Sequence, residues 1–256
     1  MGIYNCAGTL VEALDSLYAQ TYQDFKIILC EDGSSDDTYA VAENYAKSHD
    51  NIILLRNERN MGLNYTLNRC LELADTEYIA RMDGDDISLP HRFETEINFL
   101  DAHPKYDVVC STMIHFDENG DFRTDPLIGE VKKEDFILGT PMYHAACMAR
   151  TEAFNAVGGY SVDERLLRVE DYHLWFKLYA AGKLLYRLKE PLYKMRDDRN
   201  AYKRRTLKNC LNEVYVRHIG YKMISLPWYV QAFAIRPILV YLLPGFIYNW
   251  LHHNKK

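Results

Sequence analysis

Asp83, Asp85 and Asp86 crowd into four positions directly after the apolar stretch "YIARM". Like charges this close repel, and more strongly where water is partly excluded, so the cluster implies a positive partner. A hard divalent cation such as Mg2+ or Mn2+ takes oxygen ligands, commonly one or two carboxylates together with substrate phosphates and water. Asp-x-Asp brings two carboxylates into one small volume when the chain turns between them, and Gly84 eases that turn. A helix beginning after Ser88-Leu89-Pro90 gives Asp86 a competing role as its cap, but Asp83 and Asp85 lie too early for it. A second acidic stretch, "EDGSSDDT" (31–38), also follows an apolar run. There Asp32-Gly33-Ser34 can offer a nucleotide a carboxylate and backbone N–H groups, while Asp36 or Asp37 caps the next helix. The third acidic site is Glu170-Asp171. Acids in a first helical turn are favoured by the macrodipole alone, so this pair by itself divides evenly between capping and chemistry.

These carboxylates need elements to hold them. "TLVEALDSLYAQ" (9–20) has a helical apolar face and a capping box of Thr9 with Glu12. "FKIILC" (25–30) has strand length, 37–47 carries helix signals, and "NIILLR" (51–56) is a strand. "GLNYTLNRCLELA" (62–74) is an amphipathic helix, "EYIARM" (77–82) a strand, and Pro90 opens another helix. "DVVCSTMIHF" (107–116) is a strand that ends in the turn "DENGD". Such alternation predicts a parallel, doubly wound α/β sheet covered by helices. Ligands bind these sheets at the carboxyl ends of strands, which is where "EDGSSDDT" and "DGDD" fall. Further on, "YHAACMAR" (143–150) reads as a strand and "VGGY" (157–160) as a tight turn. "RVEDYHLWFKLYAAG" (168–182) reads as a helix with Leu174, Trp175 and Leu178 inward, and 199–219 as a basic helix.

The chain has 256 residues, 48% hydrophobic and 26% charged, enough for one sizeable domain or a domain with an appendage. Its six cysteines form no CxxC pair. Cys30, Cys70 and Cys110 sit in apolar patterns and read as buried hydrophobes in a reducing compartment. "MGIYNCAGTL" has neither the basic start nor the apolar run of a signal peptide, so a cytoplasmic location is expected. The net charge of −6 is split: from Arg199 onward ten Lys or Arg face one acid, Glu213, a net of +9, which leaves −15 on the first 198 residues. An acidic body of that kind is repelled by phosphate backbones, which excludes nucleic acid as the partner.

The ordered set "YNCAGTLVEALDSLYAQTYQDFKIILCEDGSSDDT", "NMGLNYTLNRCLELADTEYIARMDGDDISLPHR" and "VGGYSVDERLLRVEDYHLWFKL" resembles glycosyltransferase family 2 over about residues 3–200. The resemblance implies the GT-A fold, a Rossmann-like mixed sheet flanked by helices, in which a nucleotide-binding α/β half (1–110) joins an acceptor half (111–198). It further implies that Asp32 binds the base and ribose of a nucleotide-sugar, usually a uridine one, and that Tyr4 lies against the base. Asp85 would be the metal ligand, with Asp83 on ribose or metal, and Asp171 the general base. The substrate-binding set so implied comprises Tyr4, Asn5, Asp32, Gly33, Ser34, Gly62, Asp83, Gly84, His144, Glu170 and Arg196. The implied cofactor is Mn2+ or Mg2+, which stabilises the charge that develops on a departing nucleoside diphosphate. A single base opposite the leaving group implies inversion.

Two departures from the family pattern modify this reading. Only "MGI" precedes "YN", where the family carries a full apolar strand, so the natural chain is expected to start several residues upstream. "KMRDDRNAYKRR" stands in place of a frequent "YRxHxxS", which leaves Arg196 as the residue to contact phosphate. A QxxRW element is lacking, so transfer of one sugar, rather than processive polymerisation, is expected. The resulting expectation is an inverting transferase that moves a sugar from a nucleotide donor to a surface-glycan precursor, including lipid-linked ones. The alternatives are a sugar-phosphate nucleotidyltransferase, whose Gly-rich start is lacking here, and a non-catalytic nucleotide-sugar-binding module, which would not need Asp171. In the basic, aromatic tail 199–256, the uncharged run from Pro237 to Asn254 is too short and too broken by Pro237 and Pro244 to span a bilayer. The tail suits either peripheral docking on the inner, cytoplasmic leaflet or packing on the catalytic domain or on a second copy in a homodimer.

Overall fold

The computed structural model describes residues 1–197 and 206–242. Its first unit is a three-stranded parallel sheet of β1 (Gly2–Ile3), β2 (Ile27–Glu31) and β3 (Ile52–Arg56). The crossovers carry α1 (Leu10–Tyr18) and α2 (Thr38–Ala46), and α3 (Leu63–Leu71) follows β3. Helix α1 buries Leu10, Ala13, Leu14 and Leu17 along one stripe, the spacing that its apolar positions require. The expected capping box does not form, because Thr9 turns its hydroxyl onto the carbonyls of Cys6 and Gly84 and Glu12 pairs with Arg196.

The second sheet has the order β4 (Tyr78–Ala80), β9 (Cys147–Arg150), β6 (Val108–Asp117), β10 (Leu185–Arg196) and β5 (Ile87–Ser88). Strand β7 (Gly120–Asp125) lies beside β6, and β8 (Gly129–Glu130) beside β10. Here only the β6–β10 pair is parallel; the others run antiparallel. The parallel pattern predicted from alternation therefore holds for β1-β2-β3 and β6–β10 alone. The turn at Glu118 and Asn119 is too short to carry the crossover that a parallel return to β6 would need. A cavity of about 670 Å³ separates the two sheets, lined by Met1, Ile27 and Ile28 on one side and Tyr78, Ala80 and Met148 on the other.

Helix α4 (Arg92–Ala102) closes one face together with α1, and its cluster includes Leu14, Leu29, Phe93 and Tyr193. The other face is closed by α5 (Thr151–Val157), α6 (Glu170–Ala180) and α7 (Leu207–Met223), around Phe154, Trp175, Phe176 and Tyr221. Leu174, Trp175 and Leu178 are buried, as are Cys30, Cys70 and Cys110. Helix α7 lies tight on α6: a Cβ on Gly220 would sit 2.3 Å from the Phe176 ring. A 3-10 segment (Trp228–Ile235) and α8 (Arg236–Tyr241) complete the described chain. The basic helix expected over 199–219 falls partly outside the described residues, and so does the aromatic end after Leu242. No helix among the described residues is long and apolar enough to cross a membrane.

Candidate active site

The carboxyl end of β2 carries Asp32, which is buried. Its Oδ1 accepts from Asn57 Nδ2 at 2.7 Å and from the Met61 N–H at 2.8 Å, and its Oδ2 accepts from the Gly62 N–H at 3.0 Å. Asn57 is itself held by Thr66 and Arg69, so the carboxylate is fixed before any ligand arrives. Gly33 has φ +68, and a Cβ there would stand 2.4 Å from the Arg59 carbonyl carbon; only glycine passes this point without strain. The Asn5 N–H donates to Ser34 Oγ at 3.0 Å, and Asn5 Oδ1 accepts from the Ser35 N–H at 2.9 Å. Asn5 and Ser34 thus staple their two loops together. Of the two candidate caps for α2, Asp36 accepts from the Thr38 N–H at 3.1 Å, while Asp37 makes no side-chain capping bond.

The loop after β4 holds the aspartates. Oxygens of Asp83, Asp85 and Asp86 lie within 4.8 Å of one another. Gly84 backs onto Cys6, whose Sγ would be 2.8 Å from a Cβ there, which brings the "DGDD" turn against the "YN" loop. Asp86 does not cap α4. Strand β5 intervenes, and its carboxylate accepts from the Tyr193 hydroxyl and the Arg196 N–H, both at 2.8 Å. Burial, then Asp83 and Asp85, push its pKa up to about 7. Asp85 extends towards solvent, yet desolvation and Asp83 also raise its pKa. Arg196 bonds the Asp85 carbonyl at 2.9 Å and pairs with Glu12. The donor set suits a hard cation: Asp86 has both oxygens engaged, so Asp85 and the outer oxygen of Asp83 are the carboxylate atoms left to hold one.

The sequence did not single out the buried charge that stands behind this loop. Arg81 is buried and paired with Asp83. Burial alone would lower its pKa, but the Asp83 carboxylate outweighs that and holds it above the usual arginine range. Its charge reaches His144, Tyr160, Glu170 and Asp171. Burial and then Arg81 drive His144 well below its ordinary pKa, so its Nε2, 2.6 Å from the Tyr160 hydroxyl, is free to accept. Glu170 and Asp171 occupy the first turn of α6. Burial and Glu170 raise Asp171 to about 7. The signal for Arg81 was present, since a charged residue stood at the end of an apolar strand two positions before an aspartate.

Two cavities of about 390 Å³ each share Gly2, Ile3, Tyr4 and Leu63. One also reaches Asp32, Gly62, Arg168, Glu170, Lys208 and Asn212; the other reaches Asn5, Asp83, Gly84, Asp85 and Arg196. Most of the anticipated site residues therefore line two adjoining cavities that share a wall. Gly33, Ser34, His144 and Asp171 do not line these two cavities. The glycine and serine shape the loop from behind, while His144 and Asp171 join through Arg81 and Glu170.

A three-stranded parallel sheet joined to a mixed sheet, with carboxylates gathered at the strand ends between them, is the arrangement of the GT-A fold. The crystal structure of S. aureus TarS in complex with UDP-GlcNAc superposes with a TM-score of 0.70 at 18% identity, over 93% of this chain and 70% of that one. The family described as glycosyl transferase family 2 matches residues 1–161, and the chain belongs to it. It is 36% identical over 257 residues to EpsE of Bacillus subtilis, covering 100% of this chain and 92% of that protein. It is 30% identical over 259 residues to an Escherichia coli UDP-Gal:alpha-D-GlcNAc-diphosphoundecaprenol beta-1,3-galactosyltransferase, covering 94% and 90%.

Proposed function

We propose that the protein transfers one sugar, with inversion and dependence on a divalent metal, from a UDP-sugar to a hydroxyl of a lipid-linked glycan precursor. The observation that carries this reading is one buried arginine, Arg81, that pairs with Asp83 of the acidic loop and whose charge is felt by Asp171. Asp83 belongs to the loop that would hold the metal, and Asp171 is a carboxylate whose pKa is raised to about 7. The Escherichia coli relative bears a UDP-sugar donor and a diphosphoundecaprenol acceptor in its name, which supports both substrate classes.

Asp32, held in place by the Gly62 N–H, binds the base and ribose, and Tyr4, about half exposed at the cleft, lies against the base. Asp85 and Asp83 would hold Mn2+ or Mg2+, which when bound neutralises charge on the leaving diphosphate. Arg196 adds a cationic side chain on the same wall. Asp171 takes the proton of the acceptor hydroxyl. A carboxylate that ionises near pH 7 is a stronger base than an ordinary aspartate and still loses its proton at working pH. His144, kept neutral by burial and Arg81, stays bonded to the Tyr160 hydroxyl. No second carboxylate nucleophile is needed, so the acceptor attacks the face opposite the diphosphate.

The test is a donor screen scoring free nucleoside diphosphate, with Mn2+ and with excess EDTA. Release that requires UDP-sugar, acceptor and metal is expected. Full turnover in EDTA would remove the metal from the account. A chain that binds UDP-sugar yet never releases UDP with any polyprenyl-diphosphate acceptor would be a binding module instead.

A further inference from the structure

The described chain ends in a surface that the transfer chemistry does not use. The 3-10 segment and α8 bury Val230, Ala234 and Pro237 against the body. The large apolar side chains around these anchors point outward: Trp228 is 85% exposed, Tyr229 60%, Leu239 56% and Leu242 70%, with Phe233 and Ile235 close behind. Arg236 reaches across to the carbonyl of Leu138 at 2.9 Å, and Leu138 is itself exposed, which extends the patch onto the body. Soluble surfaces rarely gather this much contiguous apolar area without a partner.

Charge identifies the partner. No acidic residue follows Glu213 to the end of the chain, while Lys222, Arg236, Lys255 and Lys256 do. Lys222 is exposed beside the patch. The first 198 residues carry −15. A basic, aromatic face on an acidic body is drawn to an anionic bilayer at one end and repelled at the other, so a single orientation is selected. Trp228, Tyr229 and Tyr241 have the amphipathic rings that settle at the headgroup level. Length again separates docking from spanning, since no described helix can cross the hydrocarbon core. We infer that the face formed by Trp228–Leu242 docks the protein on an anionic lipid surface. The inference rests on the reading above in one respect: a lipid-linked acceptor gives the docking its purpose.

Flotation of the full chain with phosphatidylcholine vesicles, with and without phosphatidylglycerol, tests it. The double variant Trp228→Ser, Phe233→Ser serves as the control, and both side chains lie outside the cleft. The wild type is expected to float with the anionic vesicles at low salt and to be released by high salt. The double variant should bind about tenfold more weakly or less, with an unchanged melting temperature and unchanged UDP binding. Equal recovery of both chains in the soluble fraction at low salt would overturn the inference. So would a homodimer, seen by sedimentation, that the double variant dissolves, because the face would then belong to a second copy. UDP binding and UDP release with a water-soluble acceptor are scored separately. Flotation without transfer refutes the proposed reaction, and transfer without flotation refutes the docking.

Discussion

Asp171 and Arg81 make the sharpest residue-level predictions. Asp171→Asn should keep nucleotide affinity, measured by calorimetry, and lose about 10² to 10⁴ in kcat, the usual size of a general-base contribution. Because burial and Glu170 raise Asp171 to about 7, the wild-type rate should fall roughly tenfold per unit as pH drops below that value. Arg81 lowers the Asp171 pKa, so Arg81→Met should move this acid limb to higher pH in a kcat profile. An unmoved limb would mean that the arginine serves packing alone. The acidic clusters at Asp32 and Asp83–Asp86 were legible in the sequence because they follow apolar runs, whereas Asp171 drew its role from the family resemblance and Arg81 was not singled out. Asp86 was misread as a helix cap because its partners, Tyr193 and Arg196, come more than a hundred positions later. Nothing local announces a bond at that separation.

At the scale of elements, the order of helices and strands through β6, apart from the two-residue strands β1 and β5, followed from periodicity, since amphipathic stripes and short apolar runs are local signals. The mixed pairing of the second sheet did not. Strand direction there depends on which edges meet in space, and β9 enters between β4 and β6 from a long loop. The packing of α7 on α6 was equally hidden, because a basic helix reads as solvent-facing while Arg217 is buried and bonds the carbonyls of Ile137 and Leu138. Asn212 of α7 also bonds the Leu167 carbonyl at 3.0 Å, next to Arg168, whose φ is +71. This contact steadies the turn that leads into Glu170 and Asp171. Gly220→Ala should therefore cost about 1–3 kcal/mol through overpacking against Phe176, read as a lower midpoint in denaturant with the m-value unchanged.

For the molecule as a whole, buried carboxyls oppose stability. Asp86 and Asp171 of the site, and Glu96 buried against Arg92 within α4, all ionise near 7 in the fold, against about 4 in the unfolded chain. A carboxyl whose folded pKa is raised contributes stability that is complete below the unfolded value and is lost as pH rises through the folded one. Thermal stability without ligands should thus decline between about pH 4 and about pH 7. Asp171→Asn should melt higher than wild type at about pH 8 and show little difference at about pH 4. Charge at this scale was readable from the sequence, in the contrast between acidic body and basic tail, whereas its convergence on one buried arginine was not. The central claim is that one base, on the face opposite the diphosphate, drives the transfer. The anomeric configuration of the product, followed by proton NMR from an α-linked UDP-sugar, tests it most directly. The account predicts a β-linked product from wild type and almost none from Asp171→Asn, while an α-linked product would contradict it.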